Sequence, residues 1–210
     1  LAATILAGHI WTSSNSGATW TSSNSGAKQW HYITSSADGT KLAATVWPGN
    51  IWTSNNTGAT WTEDTSVNAT KNWAGITSST DGTKLAAVVV NGNIWTSSNS
   101  GESWTEDTSV GATKYWYGIT SSADGTKLAA TVNGGNIWTS NNSGANWTKD
   151  TSIGATKNWL GITSSADGTK LAATVKDGNI WTSSDSGATW TEDTSIGATK
   201  DWRSITSSAD

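Results

Sequence analysis

The chain has 210 residues, a formal net charge of −4 at pH 7 and no cysteine, phenylalanine or methionine, whereas tryptophan occurs 16 times. No basic run provides the electrostatic footprint of a nucleic-acid binder, the lack of cysteine excludes disulfides and thiol chemistry, and no apolar stretch approaches the roughly 18 residues that a membrane span requires. We therefore expect no nucleic-acid partner and no insertion into a membrane.

One unit of about 43 residues recurs along the chain. The chain enters this unit at Leu1, the first residue of a repeated Leu-Ala-Ala segment, and stops at Asp210, three residues before that segment would recur. This match predicts that five units close into one ring, although a fragment of a longer array has the same pattern. The repeated Ile-Trp-Thr-Ser segment begins at spacings of 41, 43, 43 and 43 residues, at Ile10, Ile51, Ile94, Ile137 and Ile180.

In chain order, each unit contains four strand-like runs, which we label A, B, C and D. In the third unit they lie at 73–79, 84–89, 93–97 and 103–106. An Asp-Gly pair separates A from B and favours a two-residue type I′ hairpin, and a second tight turn separates B from C. Each unit is thus predicted to be a four-stranded meander. The Asp-Gly pairs begin at Asp38, Asp81, Asp124 and Asp167.

Such small sheets bury both faces only by stacking around an axis, which predicts an all-β fold, a single-domain five-bladed β-propeller. Strands B to D at the N-terminus are predicted to pair with strand A at the C-terminus, so that Leu1 to Thr4 lie beside Ser204 to Ser207. Fifteen tryptophans, three in each unit, are expected to fill the core between blades. The predicted blades are 1–22 plus 201–210, 28–64, 71–107, 114–150 and 157–193.

Between strands C and D every unit carries the motif Ser-x-Asn/Asp-x-Gly-x-x-Trp. The Asx side chain can accept backbone N–H groups of its own turn, glycine can take the left-handed conformation, and tryptophan can cover the hairpin. With this motif the chain resembles the Asp-box, or bacterial neuraminidase repeat, propellers, which include sialidases, other glycosidases and photosystem II assembly factors. The resemblance implies a structural box, although four copies have asparagine where aspartate is usual. The box residues are Asn15, Gly17, Trp20, Asn56, Gly58, Trp61, Asn99, Gly101, Trp104, Asn142, Gly144, Trp147, Asp185, Gly187 and Trp190.

The resemblance to sialidases raises the question of catalysis, and the residues argue against it. An arginine cluster for a substrate carboxylate cannot form, because Arg203 is the single arginine. Glu-Asp pairs such as Glu63-Asp64 recur in strand D and are predicted to be solvated edge charges rather than one acid–base pair. His9 and His31 lack spaced ligand partners for a metal. We expect no catalytic residue, no metal site and no cofactor.

The copies differ most at the start of strand A and in the turn between strands B and C. In a meander these segments share one face, opposite the Asp-Gly turn and the Asp-box. Trp47 has no counterpart in the other turns and is expected to be exposed. A ligand-binding surface is the functional interpretation, and neutral drift is the alternative. The candidate ligand-binding residues are His31, Trp47, Tyr117, Leu160 and Arg203.

Two functional classes fit these expectations. One is a non-catalytic binding module that recognises a glycan or a protein on the variable face. The other is a structural module of an extracellular assembly, or an engineered symmetric scaffold, that self-assembles. A glycoside hydrolase relative is a remote third. A secreted or cell-surface location is expected, with candidate glycosylation at the sequons of Asn55, Asn68, Asn141 and Asn146.

Overall fold

Twenty short β-strands and no helix make up the regular structure of residues 1–208, the part of the chain that the computed structural model describes. We number the repeats one to five along the chain. Repeat one contains β1 (Ala2–Thr4), β2 (Leu6–Gly8), β3 (Ile10–Thr12) and β4 (Thr21–Ser22). Repeat two contains β5 (Lys28–Ser35), β6 (Leu42–Val46), β7 (Ile51–Ser54) and β8 (Thr62–Glu63). Repeat three contains β9 (Trp73–Ser78), β10 (Leu85–Gly92), β11 (Ile94–Ser97) and β12 (Thr105–Asp107).

Repeat four contains β13 (Lys114–Ser121), β14 (Leu128–Gly135), β15 (Ile137–Ser140) and β16 (Thr148–Lys149). Repeat five contains β17 (Lys157–Ser164), β18 (Leu171–Val175), β19 (Ile180–Ser183) and β20 (Thr191–Asp193). The all-β prediction is therefore confirmed. Among the described residues, no helix is long and apolar enough to cross a membrane.

In repeats two to five the strands pair in sequence and antiparallel, as a meander requires, whereas in repeat one β1 pairs with β3 and β2 pairs with β5 of repeat two. In repeat two, β5, β6, β7 and β8 are successive neighbours. The register recurs from repeat to repeat, so that Leu42 faces Ser54 and Leu85 faces Ser97. Repeats three, four and five also join into one sheet, because β10 pairs with β13 and β14 with β17. Equivalent residues thus occupy equivalent places, and differences between repeats can be compared directly.

The turn between strands A and B differs from the predicted type I′ hairpin. Gly39 has a φ of 72°, but Asp38 does not have the positive φ that a type I′ turn requires. Instead, the Gly39 N–H donates to the Ser36 carbonyl (3.0 Å) and the Ser36 N–H donates to the Lys41 carbonyl (2.9 Å). The Asp38 carboxylate accounts for the longer loop, because it accepts hydrogen bonds from Ser36 Oγ (2.6 Å) and the Thr40 N–H (3.0 Å).

These turn carboxylates should make the fold sensitive to acid. The Ser36 hydroxyl, followed by the Thr40 N–H, lowers the pKa of Asp38 from 3.8 to about 2, and equivalent bonds lower the pKa of Asp81 and Asp124 to about 2. A folded-state pKa below the unfolded value gives stability that is present above the unfolded pKa and lost as the pH falls through the folded one. We expect the melting temperature to be nearly constant above about pH 5 and to fall steeply below about pH 4.

Thermal unfolding followed by circular dichroism from about pH 7 to about pH 2 measures this slope. The variant Asp124→Asn should be less sensitive to acid than the wild type, because its amide has no proton to gain. Glu102→Gln is the matched control, since Glu102 is an exposed carboxylate outside these turns. Equal slopes for Asp124→Asn and the wild type would contradict the role of the turn carboxylates.

A bulge interrupts strand A just after its tryptophan. In repeat two, the three residue steps from Trp30 to Ile33 match only two steps on β6. The hydroxyl of Thr45 accepts the N–H of Tyr32 (3.1 Å) and so takes up the backbone group that the ladder leaves unpaired. The same shift occurs in repeats four and five. Because a bulge changes the direction of side chains, it determines where the residues after each tryptophan point.

Tryptophan clusters form the core of the repeats. The strand A tryptophan of repeat three, Trp73, is 1% exposed and meets Trp95 edge-on at 6.2 Å between ring centres. Trp104 lies 6.4 Å away on another side, and Lys71 Nζ lies 4.7 Å from the centre of the Trp95 ring. Trp73 Nε1 donates to the carbonyl of Gly49 in repeat two (3.1 Å). The ring that fills one repeat therefore also ties it to its neighbour.

The predicted closure between the two ends of the chain is not confirmed. β1 pairs with β3, and residues 201–208 contain no strand. These residues still lie against repeat five, where Ser207 Oγ donates to the Ser164 carbonyl (2.8 Å). Leu1 is 70% exposed, whereas its counterparts in the other four repeats are only 5–6% exposed. Residues 209 and 210 of predicted blade one lie outside the described residues.

Candidate functional site

Aromatic side chains from repeats two and four meet near the start of their A strands. His31 follows the strand A tryptophan of repeat two, and its ring centre lies 5.0 Å from that of Trp47 in the turn between β6 and β7. It meets the ring of Tyr32 edge-on at 4.8 Å. Tyr32 in turn interacts with Tyr117 of repeat four. We call these four residues, His31, Tyr32, Trp47 and Tyr117, the aromatic cluster.

Small residues on the intervening strand allow the two tyrosines to meet. Strand β9 of repeat three packs against both β5 and β13. At its bulge it carries Ala74 and Gly75, and a Cβ added to Gly75 would lie only 3.2 Å from the Tyr117 carbonyl oxygen. The close approach of β9 and β13 therefore depends on glycine at this position.

The cluster keeps His31 and Tyr32 uncharged at neutral pH. His31 Nδ1 lies 3.2 Å from the Trp73 carbonyl oxygen, and because a carbonyl can only accept, Nδ1 carries the proton. Burial lowers the pKa of His31 below 6.5, and the Trp73 carbonyl opposes that shift in part. Burial also raises the pKa of Tyr32 to about 12, with a smaller contribution from the Tyr117 phenol. The surface therefore offers ring faces rather than charge.

The five candidate ligand-binding residues have different surroundings. His31 and Trp47 are in contact, and Tyr117 joins them through Tyr32. Trp47 is half-buried against His31 rather than freely exposed as predicted. Leu160 is only 4% exposed and belongs to the interior, where its carbonyl accepts the Thr131 hydroxyl (3.0 Å). Arg203 is exposed and pairs with Asp201 at 2.6 Å.

Sequence reasoning missed Tyr32, although the repeats contain a signal for it. Repeats three, four and five have Gly75, Gly118 and Gly161 at the equivalent bulge position. Glycine is required there because a Cβ would run into the next A strand, at 2.8 Å from the Leu160 carbonyl in the case of Gly118. Repeat two has Tyr32 and repeat one has Ser204 at this position, and a bulky tyrosine in place of glycine is the signal that packing differs in repeat two.

The hairpins between strands C and D form hydrogen-bond networks within themselves. In repeat two, Asn56 Oδ1 accepts the N–H of Thr60 (2.9 Å), and Ser54 Oγ accepts the N–H of Gly58 (2.9 Å). Gly58 has a φ of 86°, the left-handed conformation that the motif suggests. The bonds of Asp185, first from the Thr189 hydroxyl, lower the pKa of that carboxyl to about 2. The exposed sequon asparagines are Asn55, Asn68, Asn141 and Asn146.

One of the carboxylates predicted to be solvated is buried. Asp64 is 7% exposed, and its Oδ1 accepts hydrogen bonds from the N–H (2.9 Å) and hydroxyl (2.7 Å) of Ser66. It therefore caps the turn after strand D, and its description as an edge charge was wrong. Its neighbour Glu63 is exposed as predicted and accepts the side-chain amide of Asn50 (2.9 Å). The two adjacent carboxylates thus bind different partners, Ser66 in the case of Asp64 and Asn50 in the case of Glu63.

Comparison with known proteins identifies the fold. Neither a family model nor a curated protein matches the sequence. The structure nevertheless resembles that of an ancestral GH74 enzyme, with a TM-score of 0.72 at 15% identity over 97% of this chain and 30% of the other. It resembles nidogen in its complex with laminin, with a TM-score of 0.70 at 15% identity over 97% of this chain and 80% of the other. The fold is a β-propeller.

A third propeller with this architecture is YCF48 from Cyanidioschyzon merolae, with a TM-score of 0.66 at 18% identity over 91% of this chain and 65% of the other. The chain thus spans under a third of the GH74 enzyme and just under two thirds of YCF48. At these low identities the likeness concerns the fold alone, and the matching propellers include enzymes as well as proteins in complexes.

Proposed function

We propose that this propeller is a non-catalytic interaction module that binds a protein segment at its aromatic cluster. The observation that supports the proposal is the meeting of His31, Tyr32, Trp47 and Tyr117 on the variable face. Tryptophan and tyrosine are the side chains that most often dominate binding energy at protein interfaces. Rings that already pack on one another lose little rotamer freedom on binding, which favours affinity.

The polar groups of the cluster favour a protein segment over a glycan. His31 Nδ1 is engaged by the Trp73 carbonyl, and Tyr32 interacts with Tyr117. A sugar needs several free donors and acceptors around its hydroxyl groups, whereas an apolar or aromatic side chain needs mainly ring faces. We therefore propose a segment with an apolar or aromatic anchor, and a glycan is the alternative.

Two of the compared structures support protein recognition as a use of this fold. One contains YCF48 bound to a D1 peptide, and another contains nidogen in a complex with laminin. The GH74 structures keep a glycoside hydrolase as the remote alternative. We assign no catalytic role here, because the buried Asp64 serves its own turn and Glu63 is held by Asn50.

Selection of a random peptide display library on the immobilised protein tests the proposal. Enriched peptides should carry aromatic or apolar anchors, and calorimetry should show binding weakened by about tenfold or more in Trp47→Ala. Tyr117→Ala should weaken the same peptides. Asn55→Ala is the matched control, because Asn55 is exposed in an Asp-box hairpin outside the cluster. This variant should bind the selected peptides with the affinity of the wild type.

A printed glycan array probed with the same variants separates the two ligand classes. Glycan binding that disappears in Trp47→Ala, without any peptide that depends on the cluster, would replace the protein segment by a sugar. Peptides that bind all variants equally would contradict the assignment of the site itself.

A further inference from the structure

Neighbouring repeats are joined by a contact that recurs along the chain. Between repeats two and three, Lys41 Nζ lies 3.1 Å from Ser100 Oγ, at the tip of the next Asp-box hairpin. The following glycine, Gly101, lies so close to Thr53 that an added Cβ would be 2.7 Å from the Thr53 methyl carbon. We call the Ser-Gly segment of the hairpin the tip, and the surface around the lysine and threonine of the preceding repeat the groove. Equivalent lysine–serine contacts join the later repeats, Lys84 with Ser143 (3.4 Å) and Lys127 with Ser186 (3.3 Å).

The groove of repeat five is uncovered in the described chain. Its lysine, Lys170, and its threonine, Thr182, are exposed, whereas their counterparts in repeat two, Lys41 and Thr53, are half-buried. An open cavity of about 400 Å³ lies there, and Leu171 is among the residues that line it. Repeat five thus presents one half of the junction that the other repeats complete.

The tip of repeat one is uncovered as well. The side-chain atom nearest to a Cβ on Gly17 belongs to Leu1 of the same repeat, at 3.4 Å, where the other four tips meet a threonine of the preceding repeat. Trp20, which covers this hairpin, is 39% exposed, whereas Trp104 and Trp190 are 8% exposed. Repeat one therefore presents the other half of the same junction.

The backbone next to the tip and the backbone next to the groove are also complementary. β1 is paired on one side only, with β3. In repeat two, Ala43 of strand B faces Thr34 of strand A, and by this register Ala2 would face Thr206. The 201–208 segment lies beside the uncovered groove, since Ser207 is among the residues that line the cavity. The β1 edge and the tip of repeat one are therefore complementary to the groove of repeat five and the segment beside it.

We infer that a second copy of this chain docks head to tail, with its tip filling the groove and its β1 edge pairing with residues 205–207 of the first. The new junction would continue the interface that already recurs between repeats. A second copy can supply it without altering any existing junction. Closure within one chain is the alternative, and it would bring the same tip and groove together, but in the described residues β1 pairs with β3 alone.

The protein contains no cysteine, so engineered thiols report on this junction without background. We would prepare Ala2→Cys and Thr206→Cys as two separate variants, mix them and oxidise them. Each single variant carries one thiol, so every disulfide in that mixture links two chains. We expect a mixed disulfide between Ala2→Cys and Thr206→Cys whose yield rises with protein concentration. The wild type should show a native mass of two or more chains at the same concentrations.

The double variant Ala2→Cys/Thr206→Cys detects the alternative, in which the two ends of one chain pair with each other. A disulfide within one chain in the double variant, with no mixed disulfide from the single variants, would show that the ring closes on itself and would overturn the inference. A wild type that is monomeric throughout and forms no mixed disulfide in the single variants would overturn it too.

A blocking variant tests the groove independently of the thiols. Thr182→Arg places a long charged side chain where the tip must sit, and it should raise the dissociation constant of the assembly by about tenfold or more. Ala188→Arg is the matched control, because this exposed residue of the same repeat is outside the cavity lining. Both variants should fold like the wild type by circular dichroism. Equal dissociation constants for the two variants would contradict the proposed interface.

Discussion

Replacing Trp73 with alanine should lower the free energy of unfolding by about 3–5 kcal/mol, the range for a large aromatic side chain removed from a core. Trp73 is 1% exposed and packs against Trp95 and Trp104 at 6.2 and 6.4 Å. Alanine leaves a cavity that neighbouring strands, held in their ladders, cannot fill. It also leaves the Gly49 carbonyl of repeat two without its indole donor.

Equilibrium unfolding in urea, followed by circular dichroism, measures this loss. Trp47→Ala is the control for loss of a tryptophan that is only half-buried. Its removal should cost less, about 1–2 kcal/mol, because it loses contacts with His31 and the neighbouring core cluster. Trp73→Phe should fall between the two, since it retains most of the packing but loses the bond to Gly49. If Trp73→Ala and Trp47→Ala were equally stable, the tryptophan clusters would not be the core of the repeats.

Sequence periodicity was enough to predict the meander, because equivalent residues must repeat their environment when their spacing is constant. It predicted the wrong turn between strands A and B, where the Asp38 carboxylate competes with the backbone for local donors. The preference of an Asp-Gly pair for a type I′ turn concerns backbone conformation and does not take hydrogen bonds of the aspartate side chain into account. Asp64 was misplaced for a similar reason, since its hydrogen bonds with Ser66 arise only once the turn after strand D has formed.

The aromatic cluster was predictable only in part. Variation among the copies identified His31, Trp47 and Tyr117, because a changed residue is visible against its own repeats. Leu160 shows the weakness of that reasoning, since it varies as much as His31 but is buried at a strand contact. Tyr32 required knowledge of how closely the A strands approach, which the sequence does not state. Closure of the ring was predicted from the match between the two ends of the repeat pattern, and in the described structure β1 pairs with β3 while residues 201–208 form no strand.

Gly118→Ala should destabilise the protein by about 2–3 kcal/mol, a typical penalty for overpacking. An added Cβ would lie 2.8 Å from the Leu160 carbonyl oxygen and 3.1 Å from Thr131 Oγ1. The first of these is a backbone atom of the neighbouring A strand, and it can retreat only if repeats four and five separate. The Thr131 hydroxyl accepts the Gly118 N–H (2.9 Å) within repeat four and donates to the Leu160 carbonyl of repeat five (3.0 Å), so separation would also break the second of these bonds.

Gly111→Ala separates this steric effect from the conformational preference of glycine. Gly111 has a φ of 82° with no other atom within 4 Å of an added Cβ, so alanine there should cost only about 1 kcal/mol of backbone strain. Gly118 is not in the left-handed region, and its larger cost must come from contact. Urea unfolding of both variants gives the comparison. A Gly118→Ala protein as stable as Gly111→Ala would mean that the A strands of repeats four and five can move apart without cost, and the steric role of glycine at this position would be contradicted.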